Sequence, residues 1–107
     1  MVADRASVCF DRQERPFRLA DAGADVAVVD LDGGRAAAVA AELAARGGRA
    51  VGLGADVSDE AAVRAMLRDV TAALGAPTIL VNNAGIYPSS RIADMTVEEW
   101  DRVMATN

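Results

Sequence analysis

Asp30, Asp56, Asn82, Asn83 and Asn107 are the side chains whose types and positions could do chemistry, with the small residues Ala84 and Gly85 beside them. Asp30 closes an apolar run that starts at Ala24, and Asp56 stands just beyond a second short run, Arg49 to Gly54. Asn82, Asn83, Ala84 and Gly85 follow a third, Thr78 to Val81, four β-prone residues that read as a strand buried on both faces of a parallel sheet. Amide side chains after such a run can tie neighbouring backbone together. Ala84 and Gly85, with almost no side chain, let a ligand approach the main chain closely. Small residues at the carboxyl end of a parallel strand are where an open α/β sheet takes its ligand, although the same residues also suit a plain turn.

Asp30 lies about twenty residues beyond where a first strand and its turn would fall, the spacing at which a dinucleotide fold sets an acid on a ribose 2′-hydroxyl. A carboxylate there accepts that hydrogen bond and repels a 2′-phosphate, which favours NAD over NADP. The bland reading is a polar turn made by Asp30 and Asp32 after a strand. Asp56 and Ser58 equally have a bland reading, as capping residues before a helix.

Composition removes several chemistries at once. All eleven basic residues are Arg, and the chain has no His. Imidazole bases, Schiff-base lysines and histidine metal sites are therefore excluded, and no metal ligand set is expected. The net charge of -5 repels phosphate backbones and anionic lipid surfaces, so neither nucleic acid nor membrane is an expected partner. The single Cys9 cannot form an internal disulfide, which suits a reducing cytoplasm, and between Val8 and Phe10 it reads as a buried apolar thiol. No apolar run approaches the roughly 20 residues of a membrane span, and the start lacks a signal-peptide core, so a soluble chain is expected.

The elements that would carry these residues alternate. Residues Met1 to Arg18 are the least regular, with a short strand from Ala6 to Phe10 and a helix from Arg12 to Ala22 that Pro16 permits only from its first turn. From Leu19 the pattern sharpens: a helix end capped by Gly23, the strand Ala24 to Asp30, and a turn at Asp32, Gly33 and Gly34. Next comes an Ala-rich helix, Arg35 to Arg46, with Ala36, Val39, Ala40 and Leu43 on one face and Gly47 and Gly48 as its stop. After the strand Arg49 to Gly54, a helix bears the apolar stripe Val63, Met66, Leu67, Val70 and Leu74 and ends at Gly75 and Pro77. A loop from Tyr87 to Met95 leads to the capping box Thr96-Val97-Glu98-Glu99, which opens a last helix carrying Trp100, Val103 and Met104. Short connections between alternating strands and helices imply right-handed crossovers and an α/β fold: a partial Rossmann-like, doubly wound parallel sheet of about four strands with helices on both faces. One domain spanning residues 1–107 is the expectation from length.

Asn-Asn-Ala-Gly after an apolar strand resembles the short-chain dehydrogenase/reductase family, and Asp30, Asp56 and Asn-Asn-Ala-Gly stand at three successive strand ends in that family's order. The resemblance covers Leu19 to Asn107. It implies that Asp30 and Leu31 meet the adenosine ribose and that Asp56 and Val57 meet the adenine. It also implies that Asn83, Ala84, Gly85 and Ile86 line the ribose and the approach to the nicotinamide, while Asn82 braces the sheet. Asn107 matches the family's catalytic-helix Asn, which helps hold a water in a proton relay.

Two departures accompany the matches. The family's T-G-x-x-x-G-x-G phosphate cradle is missing; counted back from Leu19, its glycines fall on Ala6, Phe10 and Arg12, with Asp11 and Glu14 nearby. The family's Ser and Tyr-x-x-x-Lys are not found either. Tyr87 and Arg91 match the spacing of that pair only superficially, and their loop reads as a substrate-side rim.

The expected function is therefore that of an amino-terminal, truncated piece of an NAD(P)-dependent short-chain oxidoreductase, inactive alone, with NAD the expected cofactor and NADP the less favoured one. The family reaction is hydride transfer with a small-molecule alcohol or carbonyl substrate. A non-catalytic, degenerate Rossmann module that binds a ligand or a protein is the alternative. An exposed last strand would favour self-association, so a homo-oligomer is a possible form. The sharp change at Leu19 suggests a displaced reading frame or alternative start, which the upstream DNA read in all frames tests.

Overall fold

The computed structural model describes the backbone of residues 6–9 and residues 15–107 in full. The expected phosphate-cradle positions Phe10 and Arg12, with Asp11 and Glu14, lie outside the described residues, as do the side chains of Ala6 and Cys9.

Four parallel strands form one sheet in the order β3-β2-β1-β4. They are β1 (Ala6–Cys9), β2 (Asp25–Asp30), β3 (Ala50–Gly54) and β4 (Pro77–Val81), and the helices between them are α1 (Arg15–Asp21), α2 (Gly33–Ala45) and α3 (Glu60–Leu74), with α4 (Val97–Thr106) last. This is the α/β, Rossmann-like arrangement the alternation implied. The register pairs Cys9 with both Val28 and Val81, and Asp30 with Gly54, so the carboxyl ends of all four strands meet along one edge of the sheet.

The doubly covered strand is β2. Val26 and Val28 face one way and pack with Ala36 and Leu43 of α2, while Ala27 and Val29 face the other and pack with Met66, Val70 and Leu74 of α3. Four consecutive buried residues, Val26 to Val29, are what a strand between two helical layers requires. The strand read from sequence as buried on both faces, Thr78 to Val81, is instead the sheet edge, with Thr78 exposed and Leu80 61% exposed. Its apolar run reflects the sheet it belongs to, but only β1 flanks it, and neither helical layer covers its whole length.

Local chemistry accounts for the helix boundaries. Pro16 is the second residue of α1, where its missing N–H costs nothing, and it is fully buried. Gly23 and Gly47 close α1 and α2 with φ of 90°. Gly33 and Gly34, expected in a turn, are the first residues of α2, because the Asp32 carboxylate accepts from the Gly34 and Arg35 amides and caps the helix. Asp59 caps α3 in the same way through Ala61. On α3, Leu67 falls at the margin of the apolar stripe and is 39% exposed. Strand β3 can lie close on α2 only because residue 52 is glycine; a Cβ there would run into the backbone of Ala36 and Ala37.

Candidate functional site

Three connections project from the carboxyl edge of the sheet, and each brings one of the sequence-predicted groups. After β2, the Asp30 carboxylate accepts from the Asp32 amide at 2.9 Å, which fixes the bend that leads into α2. The Asp30 carbonyl in turn accepts from the Ala55 amide at 3.0 Å, so the chain leaving β3 is tied beside Asp30. Asp56 follows immediately. Its Oδ1 accepts from the Ser58 hydroxyl at 2.6 Å and the Ser58 amide at 2.9 Å. These two bonds hold the Asp56 carboxyl below its ordinary range, the hydroxyl bond contributing most, with burial opposing only weakly. Its Oδ2 has no donor among the described residues.

After β4 the chain runs irregularly through Asn82 to Ile86. Asn83 Oδ1 accepts from the Arg15 guanidinium at 3.2 Å, a contact 68 residues apart in sequence that joins the start of α1 to the end of β4. Asn107 makes a paired contact with Ile86: its Oδ1 accepts from the Ile86 amide at 2.9 Å, and its Nδ2 donates to the Ile86 carbonyl at 3.1 Å. An amide side chain reproduces here the donor and acceptor of a neighbouring strand, and it anchors the end of α4 to the loop. A Cβ on Gly85 would meet Asn107 Oδ1 at 3.5 Å, so the smallest residue stands where helix and loop come together.

Helix α4 is set by Thr96, whose hydroxyl accepts from the Glu99 amide at 3.1 Å. The expected capping box is completed differently: the Glu99 carboxylate accepts from the Ser90 hydroxyl at 2.7 Å and so pins the 87–95 loop to the helix.

Together these connections enclose an open cleft of about 900 Å³. Asp30, Leu31, Asp56, Val57, Asn83, Ala84, Gly85 and Ile86 all line it. Asn107 stands just behind its wall, through Ile86. Asn82, expected to brace the sheet, is exposed, and its side chain makes no hydrogen bond among the described residues; β4 is an outer strand of the described sheet and offers it no further strand. Tyr87 lines the rim and is 97% exposed.

Sequence reasoning missed Arg102 and Thr106, which line the cleft from α4. Their spacing of four residues on the helix that ends in Asn107 is the signal that could have found them. Arg15 was also missed, and nothing in its local sequence marks it. Among the described residues no cluster of three His, Cys, Asp or Glu could hold a metal ion, and no helix is long and apolar enough to cross a membrane.

The sequence profile described as short chain dehydrogenase matches residues 14–107. The chain is 43% identical over 95 residues to the probable oxidoreductase EphD of Mycobacterium tuberculosis, an alignment covering 89% of this chain and 16% of that protein. It is 49% identical over 86 residues to the inactive 2-(S)-hydroxypropyl-CoM dehydrogenase 2 of Xanthobacter autotrophicus, covering 80% of this chain and 36% of that one. Among solved structures, a short chain dehydrogenase from Burkholderia cenocepacia in complex with NADP superposes with a TM-score of 0.88 at 33% identity, over 98% of this chain and 45% of that one. The chain thus spans between 16% and 45% of the length of these three proteins. With a parallel 3-2-1-4 sheet, a cleft at its carboxyl edge and a profile match over nearly all described residues, the chain belongs to the short-chain dehydrogenase family of NAD(P)-dependent oxidoreductases.

Proposed function

We propose that the cleft holds the adenosine end of a nicotinamide dinucleotide, NAD in preference to NADP, as one part of a short-chain oxidoreductase acting on an alcohol or carbonyl. The observation that carries this reading is the meeting of Asp30, Asp56 and Asn83, from three separate strand ends, on one cleft. Asp30 offers a carboxylate to a ribose 2′-hydroxyl and opposes a 2′-phosphate by charge. Asp56 Oδ2 can accept from an exocyclic amine while Oδ1 stays on Ser58, and Val57 supplies an apolar surface for a ring. Gly85 and Ala84 admit a ribose against the main chain. These residues fit adenosine. Bound NAD would supply the hydride acceptor; Asn107 would hold the loop that approaches it, and through Ile86 would keep a catalytic-type position beside the nicotinamide.

The 107 residues contain no lysine to lower a tyrosine pKa, so this polypeptide by itself is expected to bind without turnover. The missing glycines favour one second reading, a non-catalytic module that retains the cleft for an adenine-containing ligand or a protein.

Titration calorimetry of the chain and of Asp30→Ala with NAD and NADP tests the proposal. Wild type should bind NAD at least about tenfold more tightly than NADP, and Asp30→Ala should remove most of that difference, since losing one charge-assisted hydrogen bond and one repulsion is worth about 1.5–3 kcal/mol. Equal affinity of wild type for both nucleotides would overturn the preference. Absence of binding by a folded chain, with specific capture of a protein, would select the second reading.

A further inference from the structure

Among the described residues, those lining the cleft include two acids, Asp30 and Asp56, and one base, Arg102. The paired contact between Asn107 and Ile86 ties the end of α4 to the carboxyl edge of the sheet. Thr106 and Arg102, one turn apart on that helix, line the cleft from this side. Asp56 and Val57 reach it from a separate wall, because they follow β3 at one end of the strand order whereas α4 follows β4 at the other. Arg35, Arg49 and Arg64 each pair with a carboxylate, and Arg46 lies over the Phe17 ring. Arg102 has no hydrogen bond, ion pair or ring contact among the described residues, although Asp56 lines the same cleft. Carboxylate and guanidinium thus border one space without closing on each other.

What fills that space must suit both groups. An anion beside Arg102 would also meet the charges of Asp30 and Asp56. A neutral, planar, electron-rich ring with an amine on its edge suits both, since the amine donates to Asp56 Oδ2 while the ring face takes the cation. Adenine is such a ring. We infer that Arg102 lies over the adenine ring and closes the adenosine pocket from the α4 side, opposite Val57. This inference rests on the nucleotide reading above and goes beyond it by naming the residue that covers the base. A guanidinium is planar and more weakly hydrated than an ammonium, so it stacks on a flat π face at little desolvation cost. The chain makes this contact once already, with Arg46 4.4 Å from the centre of the Phe17 ring. Arg102 is exposed, and none of the described residues holds its side chain elsewhere.

The test compares adenosine with NAD, because adenosine has the base but no phosphate. Affinities are measured by titration calorimetry on the 107-residue chain as wild type, Arg102→Ala and Arg102→Lys. Arg102→Ala should lose about fivefold in affinity for adenosine and the same factor for NAD, and Arg102→Lys should fall between, keeping the charge without the plane. Since Arg102 makes no contact within the described fold, Arg102→Ala should unfold in urea at the wild-type midpoint. Proton NMR reads the contact itself: adenosine should move the Arg102 side-chain methylene resonances upfield, the signature of lying over a ring.

Unchanged adenosine affinity in Arg102→Ala would overturn the inference. A loss for NAD clearly larger than for adenosine would also overturn it, assigning Arg102 to the phosphates, as would adenosine binding that leaves the Arg102 resonances in place. Failure of folded wild type to bind either ligand would overturn the nucleotide reading itself, an outcome distinct from adenosine binding without an Arg102 effect.

Discussion

Asp56 shows how little machinery an exposed carboxylate needs to be kept ionised. The Ser58 hydroxyl and amide both donate to one oxygen, and the carboxyl titrates below its ordinary range. A group whose folded value is depressed stabilises the fold above its unfolded value, and the contribution is lost as pH falls through the folded value. The window therefore lies at and below the ordinary aspartate range of about 3.9. In Ser58→Ala the Asp56 carboxyl should titrate higher, followed by NMR of its carboxyl carbon. The stability gap between wild type and variant should narrow as pH drops through that window. An unmoved midpoint would mean that the hydroxyl bond does not set the ionisation.

At this scale Asp30, Asp56 and Asn83 were legible as neighbours because strand ends in a parallel sheet collect at one edge, a consequence of alternation alone. Arg15, Arg102 and Thr106 were not, because their approach depends on where two helices start and turn in space.

Elements are positioned here by small residues more than by large ones. Helix α2 buries Ala36, Ala40 and Leu43, and it lies closest on β3 at Gly52, where the strand has no side chain toward it. Gly52→Ala should destabilise the fold by about 3 kcal/mol or more, since the groups a Cβ would meet are backbone and cannot swing aside. Thermal or urea unfolding measures it, and a loss under about 1 kcal/mol would mean that α2 can lift off the sheet at little cost.

Element type was readable from periodicity throughout, and so were the caps Gly23, Gly47 and Thr96. Burial was not. The run Thr78 to Val81 has the composition of an interior strand, yet its place in the sheet order exposes it, and no local pattern encodes which strand will be last. The capping box was half readable, because Glu99 turns to Ser90, a partner fixed by the loop rather than by the helix.

The whole molecule measures 55 × 26 × 22 Å, and its core is unevenly distributed. Two apolar clusters sandwich β2, whereas α4 buries no residue and leaves Trp100 53% and Met104 64% exposed. Strand β4 is an outer strand of the described sheet, with Leu80 61% exposed. An edge strand with apolar neighbours is a template for pairing with another chain. Sedimentation velocity should show association that increases with concentration, and Leu80→Lys should shift the population toward monomer without loss of secondary structure. Association unchanged by the substitution would locate the contact elsewhere.

The account's central claim is that the cleft at the ends of β2, β3 and β4 receives the adenosine end of NAD, and amide NMR during titration with NAD tests it most directly. Resonances of Asp30, Asp56, Val57 and Asn83 to Ile86 should move together on one saturation curve, while those of Arg49 and Ala73, at the opposite edge of the sheet, stay fixed. A folded spectrum unchanged by NAD, or shifts confined to residues outside the cleft, would contradict it.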